Sequence, residues 1–192
     1  MENLSSEYWN NRYKNETAAW DLKNISTPIK EYIDQLKDKT ISILIPGCGY
    51  GYEGAYLFEK GFTNVHLLDF ASEPLEAFQK RNPYFPIENL HQADFFQFEG
   101  QYDLIIEQTL FCAIDPPLRS EYAQKVAELL KGGGKLVGLF FNREFVGGPP
   151  FGGNRDEYLA YFESYFSEIS MEKCYNSIPP RKDSELFVKM IK

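Results

Sequence analysis

Three glycines and two aspartates are the residues whose types and spacing suggest chemistry. Gly47, Gly49 and Gly51 follow the apolar run 41–45 and open a segment with helical character. Glycines at such a turn let the backbone come close to a ligand and present amide N–H groups at a helix N-terminus. Asp69 closes the next apolar run, 22 residues beyond Gly47, where a carboxylate can accept hydrogen bonds from both hydroxyls of a ribose. Asp94 falls just past a third run, in position to accept from an adenine amino group, with Phe95 beside the ring. Singly these residues have plain structural explanations: a tight turn, a capping or loop carboxylate, a solvated acid. Their recurrence at three successive strand ends points to a nucleoside-bearing cofactor.

Two such cofactors compete, a nicotinamide dinucleotide and S-adenosyl-L-methionine. Residues 49–54 match G-x-G-x-x-G, but the first glycine of the dinucleotide fingerprint makes the turn leaving the strand, and that glycine here is Gly47. Counted from Gly47, the third glycine position holds Tyr52. Its bulk would hold the helix off the sheet and crowd a pyrophosphate, whereas the methyl donor carries no phosphates and fits better. A strand-end His-Lys or Tyr-Lys pair, the usual hydride-side acid, is also missing. No general base stands out. The two histidines, His66 and His91, fall inside the second and third runs, where structural roles are expected, so no catalytic residue is assigned. Asp115-Pro116-Pro117-Leu118 resembles the Asp-Pro-Pro-aromatic signature of amine methylases, but it lies beyond a strand end and lacks the aromatic, and it reads as a turn.

The elements that must position these residues alternate. Residues 4–14 and 28–37 read as two leading helices, the second opened by Ser26 and Thr27 before Pro28. Strands are expected at 41–45, Val65–Asp69, 87–92, 102–107 and 135–141, followed by two late ones near 169–175 and Glu185–Ile191. Between them lie helices at 52–60, 73–81, 120–130 and 155–166, with Gly132-Gly133-Gly134 ending the third of these. The glycine- and proline-rich stretch 142–154 is long enough to be functional rather than connective. The sum is an α/β chain, doubly wound, with a seven-stranded, mostly parallel sheet whose ligand sits at the carboxyl ends of the strands.

The chain has 192 residues, 43% hydrophobic and 25% charged, and reads as one domain over 1–192, with 1–40 as an N-terminal helical lid. A net charge of −8 without a basic stripe argues against nucleic acid as a partner. No apolar stretch approaches the roughly 20 residues that span a bilayer. No secretory h-region follows Met1, so neither a membrane partner nor export is expected. The three cysteines lack any C-x-x-C pairing, which suits a reducing cytoplasm and supports no metal.

At this point the chain resembles a known group, the seven-stranded S-adenosylmethionine-dependent methyltransferases, and within them the thiopurine S-methyltransferase family, especially its thiol and halide methyltransferase branch. The likeness spans nearly the whole length. It rests on Ala18-Ala19-Trp20-Asp21, Ile45-Pro46-Gly47-Cys48-Gly49, Leu68-Asp69 and Ala93-Asp94-Phe95-Phe96. Phe111-Cys112-Ala113-Ile114, Gly147-Gly148-Pro149-Pro150-Phe151 and the segment 177–182 complete it. The resemblance implies S-adenosyl-L-methionine as cofactor. Trp9, Tyr13 and Trp20 then belong to the segment covering the cofactor, Gly47 and Gly49 to the loop against its methionine part, Asp69 to the ribose, and Asp94 with Phe95 to the adenine. Gln108 matches a cofactor-contacting position that is Tyr in the halide branch and Arg in the thiopurine branch. Phe141 matches a Tyr facing the acceptor in plant halide enzymes, and Phe151 and Arg181 fall on the acceptor side, a surface ion pair being the other reading of Arg181.

Methyl transfer from a sulfonium is an in-line displacement, for which the protein mainly aligns the partners and excludes water. A thiol needs less help than an alcohol or amine, because it is already partly thiolate at neutral pH, and halide or thiocyanate carries no proton. The expected activity is therefore methylation of a small-molecule acceptor, a thiol ahead of halide, by a monomer. The alternatives are a nicotinamide-dependent oxidoreductase on the same sheet and a non-catalytic S-adenosylmethionine-binding protein.

Overall fold

A buried parallel strand needs apolar residues on both faces, and β1 (Ile43–Pro46) meets that need. Ile43 and Ile45 pack into one apolar cluster and Leu44 into another on the opposite face. The computed structural model, which describes residues 4–192, orders the sheet β3-β2-β1-β4-β5-β7-β6. Here β2 is Val65–Asp69, β3 Leu90–Gln92, β4 Tyr102–Gln108, β5 Leu130–Phe141, β6 Glu168–Lys173 and β7 Glu185–Ile191. Strands β1 to β5 run parallel, and β7 pairs antiparallel with both β5 and β6. Residues 1–3 of the expected lid lie outside the described residues.

Helices α2 (Thr27–Asp34), α3 (Tyr52–Glu59) and α4 (Ser72–Arg81) bury Ile29, Leu57 and Phe78 in one cluster. On the other face α5 (Arg119–Leu129) and α6 (Arg155–Phe162) bury Tyr122, Val126 and Phe162. This is the doubly wound arrangement. Because β1 lies between β2 and β4, the chain leaves the tips of β1 and β4 toward opposite faces, and a crevice opens there. Helix α1 (Ser6–Lys14), capped by the Ser5 hydroxyl, lies against this crevice. It is tied to the β2–α4 turn by Ser6 Oγ donating to the Phe70 carbonyl (2.8 Å) and by a Lys14–Glu73 ion pair (2.9 Å). No helix among the described residues is long and apolar enough to cross a membrane.

Several boundaries differ from those the sequence suggests. Gly132-Gly133-Gly134 does not end a helix before a strand at 135; helix α5 closes at Leu129 and the glycines lie within β5. Tyr102 pairs with Leu130 while Leu104 pairs with Lys135, so extra β5 residues bulge out, which glycine accommodates readily. The expected strand at 87–92 begins with a short 3-10 turn, Ile87–Asn89, whose Ile87 is 71% exposed and gains nothing from joining the sheet. Helix α6 stops at Phe162, and Phe166 still reaches the core from beyond the helix end. Helix α2 ends at Asp34 rather than at 37. The stretch 142–154 stays free of long elements. It is pinned by an Arg143–Gly153 bridge and by the Phe151 N–H donating to the Cys112 carbonyl (2.6 Å).

Candidate active site

Asp69, at the last position of β2, is buried, and each of its carboxylate oxygens already accepts one backbone hydrogen bond. Gly49 N–H donates to Oδ2 (2.8 Å) and Ala71 N–H to Oδ1 (2.9 Å), so the side chain is held at the sheet tip with lone pairs left for hydroxyl donors. Burial pushes its pKa up to about 6 against the pull of those amides. The loop after β1 is equally constrained. Gly47 has a left-handed backbone (φ +60°), and a Cβ there would sit 2.9 Å from Leu110 Cβ, so the loop packs against the β4 tip only with glycine.

Between these tips lies a cleft of about 420 Å³. Asp69 and Gly47 line it at the strand tips, and Trp9, Tyr13 and Trp20 line it from the N-terminal segment. Phe141 and Arg181 line the far side. The three N-terminal aromatics form one edge-to-face group, Trp20 standing 5.4 Å from Trp9 and 5.6 Å from Tyr13, and Tyr13 in turn meets Tyr50. Arg181 is not the surface ion pair its sequence context allows. It is buried, donates to the Trp20 carbonyl (3.2 Å), faces Glu185 (3.4 Å) and lies 5.5 Å from the centre of the Phe141 ring. One guanidinium thus connects the N-terminal segment with the Phe141 side of the cleft.

Other expected site residues lie elsewhere. Gly49 and Gln108 line a small recess beside the cleft, where Gln108 Oε1 accepts from the Ser26 hydroxyl (2.5 Å). Asp94 is not part of the cleft lining; its carboxylate accepts from Phe96 N–H (2.9 Å) and caps the turn Phe95–Gln97. Phe95 belongs mainly to the core, stacked 5.1 Å from Tyr122, and touches the cleft at one edge. Phe151 also lies outside the lining, its carbonyl taken by Arg119. The histidines sit away from the cleft as a pair, with His66 Nδ1 3.0 Å from His91 Nε2.

Sequence reading gave no site role to Arg12, Arg143 and Cys112, all of which line the cleft together with Phe145. Nothing in their spacing marks them, because loops 109–113 and 142–154 are brought together only by folding. The thiol of Cys112 donates to the Thr109 carbonyl (3.2 Å), and burial pushes its pKa up to about 12. Glu107, behind the same loop, holds the Phe111 amide (2.9 Å) through Oε1, while Oε2 has no partner among the described residues. Burial pushes the Glu107 pKa up to about 7.

A seven-stranded sheet of this order, with its next-to-edge strand antiparallel and a buried carboxylate at the tip of β2, is the fold of solved S-adenosylmethionine-dependent methyltransferases. Among solved structures, the Burkholderia thailandensis 1,6-didemethyltoxoflavin-N1-methyltransferase, solved with S-adenosylhomocysteine, superposes with a TM-score of 0.72 at 14% identity. That match covers 97% of this chain and 86% of the other. The chain belongs to the thiopurine S-methyltransferase (TPMT) family, whose model matches residues 4–190. It is 30% identical to probable thiol methyltransferase 2 of Arabidopsis thaliana, over 96% of this chain and 84% of that protein. To thiocyanate methyltransferase 1 of the same plant it is 26% identical, over 92% and 81%.

Proposed function

We propose that this chain, as a single domain acting as a monomer, transfers the methyl group of S-adenosyl-L-methionine to a small soft nucleophile, a thiol ahead of halide or thiocyanate. The observation that carries this reading is the make-up of the cleft, which offers Arg12, Arg143 and Arg181 among aromatic and proline surface, and no histidine, lysine or glutamate. The donor fits the residues present: Asp69 has lone pairs for ribose hydroxyls, and Gly47 lets the backbone of its loop line the cleft while packing against Leu110.

The bound donor supplies a methyl group on a cationic sulfur. Asp69 holds the ribose, Gly47 lies against the methionine part, and the Trp9, Tyr13 and Trp20 group keeps water out. A soft anion entering from the far side sheds its water against Phe141 and Phe145 while Arg143 and Arg181 attract it. Arg143 lies 4.8 Å from the Phe145 ring centre. Oxygen and nitrogen acceptors usually need a positioned base, worth about 10² to 10⁴ in rate. Among the cleft residues Asp69 is committed to backbone amides, and the Cys112 thiol and Tyr13 hydroxyl are pushed up by burial, so none serves as that base. A thiol, partly ionised in solution, needs none. The relatives named for thiol and thiocyanate methylation support the same acceptor class. Phe141 brings no hydroxyl to the acceptor end, which favours a thiol over halide.

The test is methyl transfer from labelled donor by purified protein to a panel of thiols, iodide, thiocyanate, amines and alcohols. Turnover of thiols is expected to lead, and turnover confined to amines or alcohols refutes the proposal.

A further inference from the structure

Glu53 is an anomaly. It occupies the first turn of α3 and is only 7% exposed. Among the described residues it accepts no hydrogen bond from another residue, and no cation lies within ion-pair distance of it. Burying a carboxylate without a partner is costly, and proteins keep such a group where a ligand repays the cost. The attractive charge that acts on it among the described residues is the more distant Arg181, and burial dominates, pushing its pKa up to about 7.

The carboxylate lines the recess beside the cleft, a space of about 50 Å³. Tyr13, Trp20, Gly47 and Thr109 line both cavities, so the recess opens off the donor site. Its lining holds two acids, Glu53 and Asp21, and no lysine, arginine or histidine. It also holds two carboxamides whose oxygens are already engaged. Asn24 Oδ1 accepts from the Ile25 amide and Gln108 Oε1 from Ser26, which leaves both NH₂ groups as donors. An anionic acceptor and two amide donors in a space this small complement an amino-acid head group, an ammonium beside a carboxylate, and suit neither a ring nor an anion.

We propose that Glu53 is a donor-binding residue that accepts the α-ammonium of the methionine part of S-adenosyl-L-methionine, with Asn24 and Gln108 facing its carboxylate. This rests on the reading of the cleft as the donor site. Glu53 then explains why the recess is acidic in a cleft otherwise lined by arginines, and it gives the lid a reason to close. Trp20 and Asp21 complete the recess only when the N-terminal segment lies down on it.

The experiment compares S-adenosylhomocysteine with 5′-methylthioadenosine, which keeps the adenosyl group and lacks the amino acid, by calorimetry on the whole protein and on Glu53→Gln. Loss of a charge-assisted hydrogen bond predicts at least about tenfold weaker homocysteine-ligand binding by the variant. Binding of 5′-methylthioadenosine is expected to stay within about twofold. The ligand-free variant should melt no lower than the parent, since an unpaired buried charge has been removed. Equal losses for both ligands, no loss for either, or a variant that melts lower or fails to fold would each overturn the assignment by giving Glu53 a structural role. Failure of the parent to bind either ligand overturns the donor-site reading itself.

Discussion

Asp69→Asn should weaken S-adenosylhomocysteine binding in a way that depends on pH. The parent carboxylate offers each ribose hydroxyl a charge-assisted hydrogen bond of about 1.5 to 3 kcal/mol, part of which water returns in the variant, so a loss of at least about tenfold is expected at pH 7. The ligand favours ionised Asp69, and burial pushes that pKa up to about 6. At pH 7 about ten free sites are ionised for each protonated one, whereas at pH 5 that ratio reverses and the proton must be displaced before the ligand binds, a further factor of about ten. The ratio of parent to variant affinity should therefore shrink about tenfold between pH 7 and pH 5, leaving the two nearly equal at pH 5. Taking a ratio cancels any other group that titrates on binding in both proteins. Calorimetric titrations at pH 5, 6 and 7 provide the measurement. A variant that binds as tightly as the parent at pH 7, or a ratio that stays flat across the range, would refute the role of Asp69.

Three further outcomes follow from the same geometry. Glu107 has its pKa raised to about 7, so in the folded protein it holds a proton that the unfolded chain gives up near pH 4.5. Stability is full below that lower value and falls as pH rises through the higher one. Glu107→Gln keeps an oxygen for the Phe111 amide and removes this cost. Denaturant unfolding should show a gain on the order of 3 kcal/mol at pH 8 and little at pH 4.5, and an equal change at both would contradict the charge argument. Arg181→Gln loses the guanidinium hold on the Trp20 carbonyl, so amide exchange over residues 17–24 should quicken. In the parent, exchange over residues 9–20 should slow when S-adenosylhomocysteine binds; exchange indifferent to both changes would mean the segment is no lid.

Much of the fold was legible because it is written in local pattern. The run 43–45 is apolar on every residue, as a strand covered on both faces must be, and the turn that follows announces itself in Gly47 and Gly49. Asp69 could be placed for the same reason, since a carboxylate closing an apolar run has few places to go but a strand tip. Boundaries failed where tertiary pairing overrode local preference. Gly132-Gly133-Gly134 looks like a helix stop and became a bulge, because β5 pairs with Tyr102 on one side of it and Leu104 on the other.

Site residues divide the same way. Asp94 and Phe151 carry the right residue types near the right strand ends, yet Asp94 bonds the local backbone, Phe151 bonds Cys112 and Arg119, and neither lines the cleft. Arg181, indistinguishable in sequence from a surface arginine, is drawn inward by the Trp20 carbonyl and Glu185, some 160 and 4 residues away. Glu53 reads as an ordinary first-turn acid, and only its burial beside the recess sets it apart. Sequence alone determined the sheet, its glycine turn and the carboxylate at the β2 tip, since each follows from residues that are neighbours along the chain. Which charges meet in the cleft, and which are left without partners, was decided only by tertiary structure, because burial and long-range contact set the energy of a charge and neither is a property of a short stretch of chain.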